Sequence, residues 1–190
     1  MITLAQLVQD TERQLQAAAV SYGHGTSCAR DEAAWLVLHA LQWPLETDLA
    51  GDAGAAAVPP QAQARAAALL QERIASRKPL AYLIREAWLQ GVPFYVDERA
   101  IVPRSLIAEA LAEGQIDAWL PDEPRRALDL CTGNGSLAVL AALAWPGCAV
   151  DAADLSADAL EVARINVAKH ALAGRISLLQ GDGLAACQGR

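Results

Sequence analysis

Apolar residues return at helical spacing from the start of the chain, at Leu4, Leu7, Val8, Leu15 and Ala18. Thr3 and Gln6 have the form of a capping box, so the pattern predicts a helix running to about Val20. Gly23 and Gly25 in "SYGHGTS" then open a turn. A second helix is predicted from about Asp31, with Ala34, Trp35, Leu38 and Leu41 on one face and Pro44 beyond it. The stretch "ETDLAGDAGAAAVPP" lacks bulky apolar residues and reads as an exposed loop. Pro60 suits the first position of a third helix that turns Leu70 and Ile74 inward and ends on the cations Arg77 and Lys78 before Pro79. These three helices form a small amphipathic bundle.

Two short apolar runs then flank Gln90-Gly91 in "AWLQGVPFYV", the pattern of a hairpin or of a simple linker. Ser105 can cap a helix running to about Trp119 and stopped by Pro121. From Ala127 the period changes. Residues 127–131, 148–154 and 176–180 read as strands, and residues 137–144 and 157–170 as the helices between them. Strand alternating with helix is the opening half of a doubly wound parallel sheet, so the fold class is α/β with a helical bundle ahead of it. The expected organisation is a helical domain over residues 1–86, a hairpin linker over 87–104 and a sheet domain over 105–190.

Composition narrows the partners. Hydrophobic residues are 54% of the 190, much of it alanine, as in a globular chain of packed helices. The formal net charge is −7, and the 15 Lys and Arg are scattered, which argues against direct binding of nucleic acid and admits a basic protein partner. Cys28, Cys131, Cys148 and Cys187 show no metal-ligand spacing and read as reduced thiols. No signal-peptide pattern and no apolar run of membrane-spanning length occurs, so the expected location is the cytoplasm.

The chemistry concentrates in "LDLCTGNGS", residues 128–136. A phosphate loop needs a lysine after the glycines, and none follows. Gly133 to Ala138 does fit the dinucleotide fingerprint G-x-G-x-x-[GA], and Asp154 ends the next strand, so spacing alone leaves a nicotinamide cofactor open. Charge separates the two. Asp129, four residues before Gly133, should face the turn from a poorly solvated crevice, where it repels a pyrophosphate and attracts a cation. S-adenosyl-L-methionine offers an ammonium and a sulfonium. Asp154 can accept from either ligand's ribose hydroxyls, and Asp182, after the third strand, from an adenine amino group.

With those residues in view, the chain resembles the protein glutamine N-methyltransferases, in the branch that acts on large-subunit ribosomal protein L-three. The segments "SYGHGT", "DEAAWLVLHAL", "RKPLAYL", "FYVDERAIVPRS" and "LDLCTGNGS" carry the resemblance in order over nearly the whole chain. The sister branch, which acts on peptide release factors, has Pro and an acidic residue where this chain has Ser105-Leu106. The resemblance implies a Rossmann-like class I methyltransferase sheet. It implies an S-adenosylmethionine site in which Cys131, Thr132, Gly133, Asn134 and Gly135 hold the methionine end, Asp154 the ribose, and Asp182 with Gly183 the adenine. Asn134 and Ser136 depart from the family's usual Ser and small or apolar residue, and Gly183-Leu184 from a bulkier pair. The family's Asn-Pro-Pro-Tyr segment, which holds the substrate amide, is absent from the sequence. The chain is therefore read as an N-terminal portion: a helical substrate-recognition domain and the cofactor half of a methyltransferase, inactive by itself, from a parent that methylates a glutamine amide. The alternatives are glutamine methylation of peptide release factors, or a non-catalytic module for a basic protein.

Overall fold

The computed structural model describes residues 1–188, which divide into two compact units, Met1–Ile84 and a second from Arg85 onward. The first unit is helical. Helix α1 (Leu4–Ala17) opens on the expected capping box: the Thr3 hydroxyl accepts from the Gln6 amide, and the Gln6 side chain accepts from the Thr3 amide. It stops at Ala17 rather than near Val20, because Ala19 turns left-handed well before the glycines. Helix α2 (Ala29–Leu41) starts two residues earlier than expected. It is buried on most of its circumference rather than on one face. The expected exposed loop contains a one-turn helix, α3 (Asp52–Ala55), and its end is held: Ala57 bridges Thr3, and Val58 is buried.

Helix α4 (Pro60–Ser76) places proline at its first turn as predicted, and Leu70 is buried. Ile74, expected inward, is half-buried, and the neighbouring Arg73 takes the interior position instead. Arg77 caps α4, and its guanidinium donates to the carbonyls of Ala18 and Ala19 at the end of α1. A short helix α5 (Leu80–Ile84), not anticipated, closes this unit.

The second unit opens with the predicted hairpin, β1 (Ala87–Leu89) paired antiparallel with β2 (Val92–Phe94). Gln90 and Gly91 both have positive φ, 51° and 72°, as a tight turn matched to the twist of the strands requires. The helix expected from Ser105 to Trp119 is broken. Ser105 caps α6 (Leu106–Ala112), but Gly114 turns to φ 66° and a separate 3-10 turn follows at Asp117–Trp119.

Strands β3 (Arg126–Leu130), β4 (Ala149–Asp154) and β5 (Ile176–Gln180) form a parallel sheet in the order β3-β4-β5, linked by α7 (Ser136–Ala144) and α8 (Ala157–Lys169). This is the first part of a Rossmann-like sheet. One face carries the core: Val150, Ala152 and Ile176 pack with Val139 and Ala142 of α7, Val167 of α8, Ala108 of α6 and Phe94 of the hairpin. The other face leaves Leu128 and Leu130 of β3 well exposed. Among the described residues, no helix is long and apolar enough to cross a membrane.

Candidate functional site: an acidic glycine turn

At the end of β3 the chain leaves extended geometry at Cys131, whose φ is 58° and whose side chain is exposed. The Thr132 amide then donates to Ala153 of β4 at 3.0 Å and fastens the turn to the neighbouring strand. Gly133 (φ 57°) and Gly135 (φ 79°) carry it into α7. They are glycines for different reasons. A Cβ at Gly133 would meet open space, so only its backbone angle demands glycine. A Cβ at Gly135 would lie 3.1 Å from the Ala163 Cβ and 3.3 Å from its Cα, so there α8 also presses against the turn.

The turn sits between two carboxylates. Asp129 accepts at one oxygen from the Thr132 hydroxyl (2.6 Å) and from the Ala138 amide in the first turn of α7 (3.1 Å). Burial pushes its carboxyl above the usual range. The two hydrogen bonds oppose that shift, and the nearby Asp154 charge adds to it. From the other side, Asp154 accepts from the Gly133 amide (2.8 Å) and from the Ser156 amide (2.9 Å). Thr132 and Asn134 are buried. Asn134 accepts from the Ser136 amide, while its Nδ2 is a buried donor with no partner among the described residues.

Asp182 and Gly183 lie at the next strand end. The Gly181 amide donates to the Asp154 carbonyl at 3.0 Å, so the chain after β5 runs alongside the end of β4. Asp182 is exposed at the start of a 3-10 turn, Gly183–Cys187. Gly183 has φ 52° with open space around it. The structure thus brings Asp129, Thr132, Gly133, Asn134, Gly135 and Asp154 into one bonded cluster. Cys131 sits on its exposed side, and Asp182 and Gly183 lie at the same sheet edge without a side-chain bond to it.

Two residues were not singled out from sequence. Gly181 is one: a Cβ there would lie 2.8 Å from that of Ala186. Asn166 is the other, a fully buried amide on α8 that donates to the Asn134 carbonyl. Its signal was available as a polar residue inside the apolar stripe Val162, Ala163, Val167.

Known proteins carry the same chain pattern. A family profile described as methyltransferase small domain matches residues 111–190, which take in β3, the turn and β5. A ribosomal protein uL3 glutamine methyltransferase from Bordetella pertussis is 50% identical over 183 residues, covering 95% of this chain and 60% of that protein. Proteins of the same description from Burkholderia pseudomallei and Bradyrhizobium diazoefficiens are 48% and 40% identical, over 95% and 96% of this chain and 58% and 59% of theirs. The chain is a homologue of the uL3 glutamine methyltransferases. It spans about 60% of the length of these relatives. In this methyltransferase homologue the acidic turn falls inside the profile-matched region, whereas the helical unit lies outside it.

Proposed function

We propose that the acidic turn binds S-adenosyl-L-methionine and that the whole protein uses it to methylate a side-chain amide nitrogen of glutamine in ribosomal protein uL3. The observation that carries the cofactor reading is where Asp129 sits. The free amides of a helix N-terminus are where a dinucleotide fold receives its pyrophosphate. Here the Asp129 carboxylate already accepts from one of them, at Ala138, and Asp154 accepts from the Gly133 amide. A phosphate entering this turn would meet two carboxylates. A unit charge about 4 Å from a carboxylate, at an effective dielectric of about 20, gains or loses about 4 kcal/mol according to its sign. A cationic ligand is therefore favoured over a nicotinamide dinucleotide.

The residues present fit that ligand. S-adenosylmethionine supplies a methyl group made electrophilic by its sulfonium. In this reading Asp129 and residues Cys131, Thr132, Gly133, Asn134 and Gly135 hold the methionine end. The unpartnered Asn134 Nδ2 is a donor that a ligand oxygen can satisfy. Asp154 takes the ribose hydroxyls on the lone pairs left by Gly133 and Ser156. Asp182 and Gly183 border the adenine, where the exposed carboxylate and the open space over Gly183 leave room for a ring.

The substrate reading rests on the relatives, which are named as uL3 methyltransferases, and on the chain's net charge of −7, which suits a basic ribosomal protein. We assign recognition of uL3 to the N-terminal helical domain, residues 1–86 in the sequence division. An amide nitrogen is a weak nucleophile, so the reaction depends on positioning and on stabilising developing charge. No residue among these 190 is assigned as catalytic. The test is mass spectrometry of uL3 and of release factor after incubation with the whole protein and S-adenosylmethionine. A methylated glutamine in uL3 alone is expected. An unmodified uL3 overturns the substrate reading, and modification of release factor instead moves the protein to the sister activity.

A further inference from the structure

We propose that Asn166 is a positioning residue for the cofactor turn, joining it through one buried amide to the segment that follows the hairpin. The proposal rests on the S-adenosylmethionine reading and goes beyond it, because Asn166 lies in the last turn of α8 and outside the glycine motif. Its side chain is fully buried and makes three hydrogen bonds. Oδ1 accepts from the Tyr95 amide at 2.7 Å, and Nδ2 donates to the Tyr95 carbonyl at 3.0 Å and to the Asn134 carbonyl at 2.9 Å. A single amide thus pairs with both backbone groups of one residue, as a neighbouring strand would, and has one donor left for the turn.

The surrounding contacts make this link stiff. One turn before Asn166, Ala163 fills the space that a side chain at Gly135 would need. One turn after it, the His170 ring donates from Nε2 to the Pro93 carbonyl at 3.0 Å, which requires the proton on Nε2. Ala159 and Val162 of the same helix pack with Ala100 and Tyr95. The Tyr95 hydroxyl donates to Asp97, whose carboxyl Arg99 holds down to about 2. Helix α8 therefore presents one continuous face to the glycine turn and to residues 93–100. Asn166 is the point on that face bonded to both.

Removing the Nδ2 donor leaves the Asn134 carbonyl buried without a partner and frees the peptide between Asn134 and Gly135, whose amide is directed at the Thr132 carbonyl. The turn then loses the preorganisation that a ligand at Asn134 and Gly133 requires. Tyr95 and the turn also become independent of each other.

The test uses the whole protein and two readouts. Asn166→Asp keeps the acceptor for the Tyr95 amide and loses both donors. Its KM for S-adenosylmethionine is expected to rise about tenfold with the KM for uL3 unchanged. In the wild type, saturating S-adenosylmethionine is expected to slow hydrogen exchange at the Tyr95 amide as well as in residues 131–135. A variant that folds with wild-type KM for S-adenosylmethionine overturns the proposal. If the variant does not fold, the wild-type exchange decides: a ligand that protects residues 131–135 and leaves Tyr95 unchanged also overturns it. Absence of any S-adenosylmethionine binding by the wild type removes the cofactor reading itself, and is told apart from those results by the unprotected turn.

Discussion

Asp129 is a half-buried carboxyl with no cation bonded to it among the described residues, and that has opposite consequences for stability and for binding. Its carboxyl is raised by burial, so the folded protein holds this proton to higher pH than the unfolded chain does. The charge therefore opposes folding at neutral pH, and the opposition fades as pH falls through the raised value toward the unfolded value of 3.8. Asp129→Asn keeps an acceptor for Thr132 and Ala138 and removes the charge, so calorimetry should record a higher Tm at pH 7. The same substitution should weaken S-adenosylmethionine by about 30-fold or more in isothermal titration, because truncating one member of a desolvated charge pair costs at least about 2 kcal/mol. In the wild type, affinity should fall with pH through the same window. The two glycines of the turn separate in the same way. Gly133→Ala should cost about 1 kcal/mol from its left-handed angle alone, and Gly135→Ala about 2–4 kcal/mol, because crowding against Ala163 is added. Urea unfolding of the two variants followed by a probe in the second unit would show the difference.

At the scale of the element, what was legible was local. The capping box at Thr3 and Gln6, the proline opening α4, the Gln90-Gly91 hairpin and the strand-turn-helix at 126–144 all depend on residues within a few positions of each other. The interior of the helical unit did not follow. Arg73 donates to Glu32 at 2.7 Å with both side chains almost wholly buried, Glu32 also accepts from Thr26, and Arg73 donates to the Ser21 carbonyl. This network anchors the "SYGHGT" turn from within. The partners are 41 residues apart, and in sequence each looks like an ordinary surface charge on its own helix. Glu32→Ala should destabilise the helical unit by about 3–5 kcal/mol, since Arg73 is left as an uncompensated buried charge. Replacing both with apolar residues, Glu32→Leu with Arg73→Met, should recover most of that loss in a double-mutant cycle read by thermal unfolding. The break in the helix after Ala112 was missed for a related reason: Gly114 is tolerated in a helix by pattern, and only its turn to positive φ ends α6.

On the scale of the whole molecule, the parallel sheet is covered on one face by α6, α7 and α8, while β3 lies at an edge with Leu128 and Leu130 exposed on the opposite face. The 190-residue chain by itself is therefore expected to self-associate as its concentration rises, and Leu130→Lys to reduce this, both read by sedimentation velocity. Sequence alone determined the order of the longer helices and of the parallel strands, the change of period at residue 127 and the acidic glycine turn, because each is written in side-chain spacing and charge over short distances. It also carried enough similarity for the methyltransferase relationship, spread over several motifs. Tertiary structure alone decided that Asp129 reaches across to α7, that Asp154 holds the Gly133 amide, that Asn166 bonds the turn to Tyr95 and that Arg73 lies inside. Those outcomes depend on which distant segments are brought within hydrogen-bonding distance and on how much water is excluded there, and neither is encoded in the local pattern of any one segment.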